Sequence, residues 1–181
     1  MTHSIIFSGF GGQGIMLMGQ LLTQAGMHEG RKVSWIPSYG PEMRGGTAYC
    51  SVTISDDPIG SPVVTEPTLV VAMNLPSVTR FAPQIVPGGT LVINSSLAPD
   101  KADRDDITQV RVPMNALASD LGNPRVLNMV GLGVVLAACK PVSEEAMLKG
   151  MDVMLGKKFA SKPHLLELNR TALRKGMEQA H

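Results

Sequence analysis

Ser4-Ile5-Ile6-Phe7-Ser8-Gly9-Phe10-Gly11-Gly12-Gln13-Gly14-Ile15 decides the fold. Its first half is a short apolar run ending in glycine, the pattern of a buried strand over 4–8 that enters a tight turn. From Gln13 to about Glu29 the residues Ile15, Met18, Leu22 and Ala25 recur at helical spacing, with Gly19 and Gly26 on or beside the stripe. A helix that approaches a sheet closely should follow. Gly9, Gly11 and Gly14 fit GxGxxG, which carries weight only between a strand and an amphipathic helix. Leu17 and Leu21 widen the apolar arc, and no Asp, Glu, Lys or Arg precedes Glu29. Two sides of this helix should therefore be covered, one of them by a partner.

Outward from that unit, strands are expected at Lys32–Ile36, Gly45–Ile54, Leu69–Met73, Thr90–Asn94 and Val110–Val112, from their β-branched and aliphatic composition. A helix is expected at Leu75–Phe81, and Pro87-Gly88-Gly89 marks a turn. The Pro-rich stretch 58–67 reads as a surface excursion between strands. The last third reads as four helices: Pro113–Leu121, Asn128–Cys139, Glu144–Leu155 with Ser143 as N-cap, and Pro163 to about Gly176. Strands alternating with helices imply an α/β fold: a mostly parallel sheet with helices on both faces, a Rossmann-like first βα unit and a helical C-terminal third.

Bulk composition narrows the class. At 181 residues, with 44% hydrophobic and 17% charged side chains, residues 1–181 suit one globular domain. Aromatics are 4% and methionines number 12, so aliphatic and thioether groups must fill the core. A net charge of +1 offers no field to steer nucleic acid. The apolar run 129–139 is shorter than the roughly 20 residues of a membrane span, and no basic n-region opens the chain, so a mature cytoplasmic protein is expected. Cys50 and Cys139 stand far apart without CxxC spacing; buried free thiols are expected, with no iron–sulfur or zinc site. His3, His28, His164 and His181 show no metal-binding spacing, and no GxSxG nucleophile elbow occurs. No catalytic residue and no metal ligand is expected.

In the glycine turn, Gly9, Gly11, Gly12, Gln13 and Gly14 are the candidate binding residues. Unpaired N–H groups at a helix start present partial positive charge to a phosphate or carboxylate. The alternative is that these glycines serve only tight strand-to-helix packing. A standard NAD site also wants an acid for the ribose about 20 residues on. There the chain reads Trp35-Ile36-Pro37-Ser38, and the nearest acid is Glu42. No GK(S/T) follows the turn, which excludes a Walker loop.

A second loop, Ser38-Tyr39-Gly40-Pro41-Glu42-Met43-Arg44-Gly45-Gly46-Thr47, follows a strand expected beside the first, so both loops should crown the carboxyl edge of the sheet, where such folds bind ligands. Arg44 offers a planar fork for an anion, Ser38 and Tyr39 add hydroxyls, and Gly45 and Gly46 allow close approach. A local contact between Glu42 and Arg44 is the alternative role of that loop.

GFGGQGI at 9–15 together with SYGPEMRGGTA at 38–48 resembles the gamma subunit of the pyruvate and 2-oxoglutarate ferredoxin oxidoreductases. The likeness continues through Ile59–Pro62, the helix start around Asn128, and Asn169, Ala172 and Gly176. It implies a noncatalytic subunit of a CoA-dependent 2-oxoacid:ferredoxin oxidoreductase, inactive alone, in a complex with alpha, beta and delta subunits. Those partners would hold thiamine diphosphate, magnesium and iron–sulfur clusters and pass electrons to ferredoxin or flavodoxin. The chain itself would hold no tight cofactor, could contact CoA, and could form a homodimer when isolated. GPEMRGGTA leans toward the 2-oxoglutarate branch. A free-standing dinucleotide-binding oxidoreductase is the competing class, and an interaction module without a ligand is a third.

Overall fold

A computed structural model of the chain describes residues 1–38 and 47–180. Its elements run β1 (Thr2–Phe10), α1 (Ile15–His28), β2 (Lys32–Ser38), β3 (Thr47–Ser55), β4 (Leu69–Ala72), α2 (Leu75–Phe81), β5 (Thr90–Asn94), β6 (Thr108–Val112), α3 (Met114–Asp120), α4 (Leu127–Cys139), α5 (Glu144–Leu155) and α6 (Pro163–Met177). The sheet order is β2-β3-β1-β4-β5-β6. β1, β4, β5 and β6 are parallel, and β3 runs antiparallel to both β1 and β2.

That order corrects one expectation. β2 does not lie beside β1, because β3 occupies the position between them. The connection from β2 to β3 is short enough for a hairpin-like return, and such a return makes adjacent strands antiparallel. Two reversals restore direction, so β2 still runs parallel to β1 and ends at the same rim.

The two faces of β3 are separated by its alternation. Cys50, Val52 and Ile54 are buried against α1 together with Ile5 and Phe7 of β1. The intervening Tyr49, Ser51, Thr53 and Ser55 turn to the other face, opposite Ser8, Ile6, Ser4 and Thr2. Helices do cover both faces, but unequally. α1, α3, α4 and α5 share one apolar cluster with the first face, while the second cluster is built by α2 and the short 82–84 turn over β1, β4 and β5. Each fully buried Leu or Ile in these clusters contributes roughly 1.5–3 kcal/mol relative to exposure.

α4 is apolar on nearly all sides because it lies in a middle layer, with α6 packed on its outer surface. α6 is amphipathic and buries Ala172, Leu173 and Gly176. Ser143 caps α5, its hydroxyl accepting from the Ala146 N–H at 3.1 Å. The second side of α1 is covered by α5 of the same chain: Gly150 lies against the Leu21 carbonyl and the Ala25 N–H. The partner invoked from the sequence for that side is therefore replaced by an internal helix. Segment 58–67 has no regular structure and is mostly exposed.

Candidate functional site

The carboxyl rim of the parallel strands carries the glycine turn. Gly14 adopts φ +75 as the residue before α1, a left-handed conformation natural to glycine, and among the described residues no side chain caps the helix start. No acidic residue occupies the first turn of α1 either. The helix thus presents uncapped N–H groups and the positive end of its dipole at this rim.

The glycines divide by role. A methyl group on Gly9 would meet Met73 Cβ at 2.8 Å and Ile15 Cδ1 at 2.9 Å, and one on Gly14 would overlap the Asn128 side-chain amide. These two serve close packing. Gly11 and Gly12 are exposed, and the space beside Gly12, at φ +91, is open. The part of the turn free to meet a ligand is therefore its tip, Gly11–Gly12, together with the first turn of α1.

Gln13 works inside the protein. The Phe10 N–H donates to Gln13 Oε1 at 2.6 Å, and Gln13 Nε2 donates to the Met73 carbonyl at 3.4 Å, so its side chain ties the turn to the end of β4. The same Met73 carbonyl accepts from Asn94 Nδ2 at 3.3 Å, and that amide also donates to Asn115 Oδ1 at 2.7 Å. Asn94 Oδ1 accepts from the Met114 N–H at 3.1 Å. A chain of hydrogen bonds thus runs along the rim from β1 to the start of α3.

On the α2 side, Ser8 donates to Ser77 Oγ at 2.8 Å, and Ser77 donates to Asn74 Oδ1 at 2.7 Å. Asn74 caps α2, is 1% exposed, and its Nδ2 has no hydrogen-bond partner among the described residues. Asn74 and Asn94 escaped the sequence reading. Their signal was available: each stands at the end of an apolar run, where a strand-terminal asparagine cannot be spent on the core.

Ser38 ends β2 opposite Tyr49, which stands opposite Ser8. It is therefore two strand spacings, roughly 10 Å, from β1. Thr47 opens β3 directly opposite Phe10. Both anchors of the second loop lie at the glycine-turn rim. Tyr39, Arg44, Gly45 and Gly46, and the Glu42–Arg44 contact, lie outside the described residues.

Desolvation raises both thiols. Cys50 is fully buried, and desolvation pushes its thiol up to about 12, outweighing contacts with Trp35 and the Gly19 backbone. Cys139 is only half-buried, not buried as expected, and desolvation raises it as well. Among the described residues no three His, Cys, Asp or Glu side chains gather to hold a metal ion, and no helix is long and apolar enough to cross a membrane. A cavity of about 560 Å³ lies at the opposite rim, beside Glu29, Arg31 and Ser143. Two of its polar side chains are engaged: Arg31 donates to the Pro141 and Met1 carbonyls, and Glu29 accepts from the Ser143 N–H.

Residues 4–179 match the family described as pyruvate ferredoxin/flavodoxin oxidoreductase. Ketoisovalerate oxidoreductase subunit VorA of Methanothermobacter thermautotrophicus is 38% identical over 96% of this chain, and the chain spans only 35% of that relative's length. 2-Oxoglutarate synthase subunit KorC of Methanocaldococcus jannaschii is 35% identical over 83% of this chain and 82% of its own. The gamma subunit of a keto/oxoacid ferredoxin oxidoreductase from Geobacter sulfurreducens superposes with TM-score 0.86 at 29% identity, covering 99% of this chain and 97% of that one. The 2-oxoglutarate:ferredoxin oxidoreductase of Magnetococcus marinus, solved with 2-oxoglutarate, coenzyme A and succinyl-CoA, shares the fold with TM-score 0.88 at 24% identity, over 99% of this chain and 31% of its own.

Proposed function

Because the chain belongs to the pyruvate ferredoxin/flavodoxin oxidoreductase family, we propose that it is the gamma subunit of a CoA-dependent 2-oxoacid:ferredoxin oxidoreductase, noncatalytic by itself, that lends its carboxyl rim to the coenzyme A site. The observation that carries this is the uncapped start of α1 beneath an exposed Gly11–Gly12 tip, on the same rim as the anchors of the Arg44 loop. Coenzyme A brings phosphates, which N–H groups at a helix start and a guanidinium fork accept.

In this reading thiamine diphosphate, magnesium and the iron–sulfur clusters reside in alpha, beta and delta partners, where they supply decarboxylation and electron transfer to ferredoxin or flavodoxin. This chain holds the coenzyme's anionic end, and its rim hydrogen bonds keep the turn in one geometry. Placement of that kind accelerates reaction by fixing the thiol end relative to the acyl donor. The missing ribose acid after β2 argues against a free-standing dinucleotide enzyme.

For the substrate, 2-oxoglutarate is the first reading, supported by GPEMRGGTA and by KorC, a relative of similar length. The 38% identity with VorA favours ketoisovalerate as the second. The test is purification from the native cell through a tag on this chain, followed by assay with 2-oxoglutarate, ketoisovalerate and pyruvate. CoA-dependent oxidation by a complex containing thiamine diphosphate and iron is the expected result. A lone chain that carries flavin or nicotinamide and oxidises a substrate unaided overturns the proposal.

A further inference from the structure

α4 is built from aliphatic side chains, glycines, Met129 and Cys139, with one exception: Asn128, in its first turn. Asn128 is only 5% exposed. Its Oδ1 accepts from the Met129 N–H at 3.0 Å, which sets the orientation of the amide and turns Nδ2 the other way. That nitrogen has no hydrogen-bond partner among the described residues. An N–H donor largely withheld from water and left without an acceptor lowers stability. An apolar side chain would carry no such penalty, so packing alone gives no reason for an amide here.

The side chain is directed at the start of α1. Toward a methyl placed on Gly14, Asn128 advances from Cβ at 3.1 Å to Cγ at 2.8 Å, with Nδ2 nearest of all. Gly14 immediately precedes α1, whose hydrogen-bond ladder opens with the Met18 N–H donating to the Gly14 carbonyl at 3.1 Å. The N–H groups of Ile15, Met16 and Leu17 stand ahead of that ladder. Only a residue without Cβ at position 14 lets the Asn128 amide lie beside them. Charge favours an anion there: the first turns of α1 and α4 hold no acid, and no Asp or Glu occurs before Glu29 or between Asp120 and Glu144.

Resting on the coenzyme A reading of this rim, we propose that Asn128 is a further binding residue: its Nδ2 donates to the phosphate that the start of α1 receives, so that the anion sits between two helices instead of on the glycine turn alone. A phosphate oxygen supplies the acceptor that the amide lacks, and the N–H groups of α1 supply the further donors that its other oxygens call for. As a neutral donor oriented by the Met129 contact, Asn128 contributes direction, where a lysine would contribute a mobile point charge.

The test compares coenzyme A with pantetheine, which carries the reacting thiol and no phosphate, as acyl acceptors for the assembled complex purified through a tag on this chain. Asn128→Ala is expected to lower kcat/KM for coenzyme A by about tenfold or more, the scale of a hydrogen bond to a charged group, and to leave kcat/KM for pantetheine within about twofold of the unaltered complex. Asn128→Asp keeps the size of the side chain and the acceptor for the Met129 N–H but faces the phosphate with a carboxylate. It should lose at least as much, again with coenzyme A alone, and it reads the same comparison if Asn128→Ala does not assemble. Equal losses with both acceptors, or no loss with coenzyme A, would overturn the proposal while leaving the coenzyme A reading in place. Failure of both variants to assemble assigns Asn128 to the fold and overturns it too. An unaltered complex that uses the two acceptors equally well has no phosphate site, and then the coenzyme A reading itself fails.

Discussion

Thr47 stands directly opposite Phe10 in the antiparallel pairing of β3 with β1, so the residue that closes the second loop abuts the residue that opens the glycine turn. Loop and turn are 37 positions apart at these two residues, yet the sheet brings their ends to one rim. The register extends from Thr2–Ser55 to Phe10–Thr47 without interruption. A slip by one residue would move Cys50, Val52 and Ile54 off the core face.

Gln13→Leu removes the acceptor for the Phe10 N–H and the donor to the Met73 carbonyl. A loss of about 1–3 kcal/mol is expected from the unpaired backbone groups, read by urea denaturation. On the proposed coenzyme A role of the turn, its displacement should raise the KM for CoA of the assembled enzyme with kcat less affected. An unchanged KM contradicts Gln13 as the residue that positions the turn.

Gly14→Ala should cost more than Gly12→Ala. Both positions have positive φ, worth roughly 1–2 kcal/mol against any L side chain, but only at position 14 would the methyl overlap Asn128. An additional cost of about 1–3 kcal/mol follows from that overlap. Equal melting temperatures for the two variants would show that Asn128 yields freely.

α4 and α6 approach through Gly133 and Gly176, each set against the other helix's backbone: a methyl on Gly133 would overlap the Leu173 carbonyl, and one on Gly176 the Val130 carbonyl. Backbone cannot step aside as a rotamer can. Gly176→Ala is expected to destabilise by about 3 kcal/mol or more through helix separation, measurable as a lowered midpoint in urea. A change below about 0.5 kcal/mol would contradict the close crossing.

Thiol labelling separates the two cysteines. Cys50 is buried with its thiol near 12, so iodoacetamide at pH 8 should leave it intact in the folded chain. Cys139, half-buried at the end of α4, should react slowly, and both should react in urea. Rapid labelling of Cys50 under native conditions would show that the contact between α1 and β3 opens readily.

His3 is held below its usual value, first by desolvation and then by Arg31. Below about pH 6.5 the unfolded chain takes up this proton before the folded chain does, so the unfolded state gains and stability falls with pH down to the folded value. Above that pH both forms are neutral and the effect vanishes. His3→Gln should therefore show a shallower acid-side decline in denaturation midpoint. An identical slope would remove His3 from the acid response.

Much of the architecture was legible because it is written locally. The strand, glycine turn and helix at 4–28 carry their signal in apolar spacing, and Ser143 announces the start of α5 by capping chemistry. The strand order was not legible: whether β2 or β3 lies beside β1 depends on long-range pairing, and β3's alternation fits either neighbour. The glycine motif marked a strand-to-helix turn but could not apportion its members between packing and exposure, because the packing of Gly9 against Met73 and Gly14 against Asn128 involves residues 64 and 114 positions away. The bonds of Gln13 to Phe10 and Met73 were likewise not legible, since the Met73 partner stands 60 positions away. Asn74 and Asn94 each end an apolar run, a local signal, but their meeting at one rim depends on the alignment of β4 and β5.

The central claim is that the exposed tip of the glycine turn and the first turn of α1 meet coenzyme A in the assembled enzyme. Amide hydrogen exchange over residues 9–18, measured in the intact complex with and without saturating CoA, tests it most directly. The account predicts slower exchange at Gly11, Gly12 and the first N–H groups of α1 when CoA is bound. Unaltered exchange across this segment, with CoA saturation verified kinetically in the same sample, would contradict it.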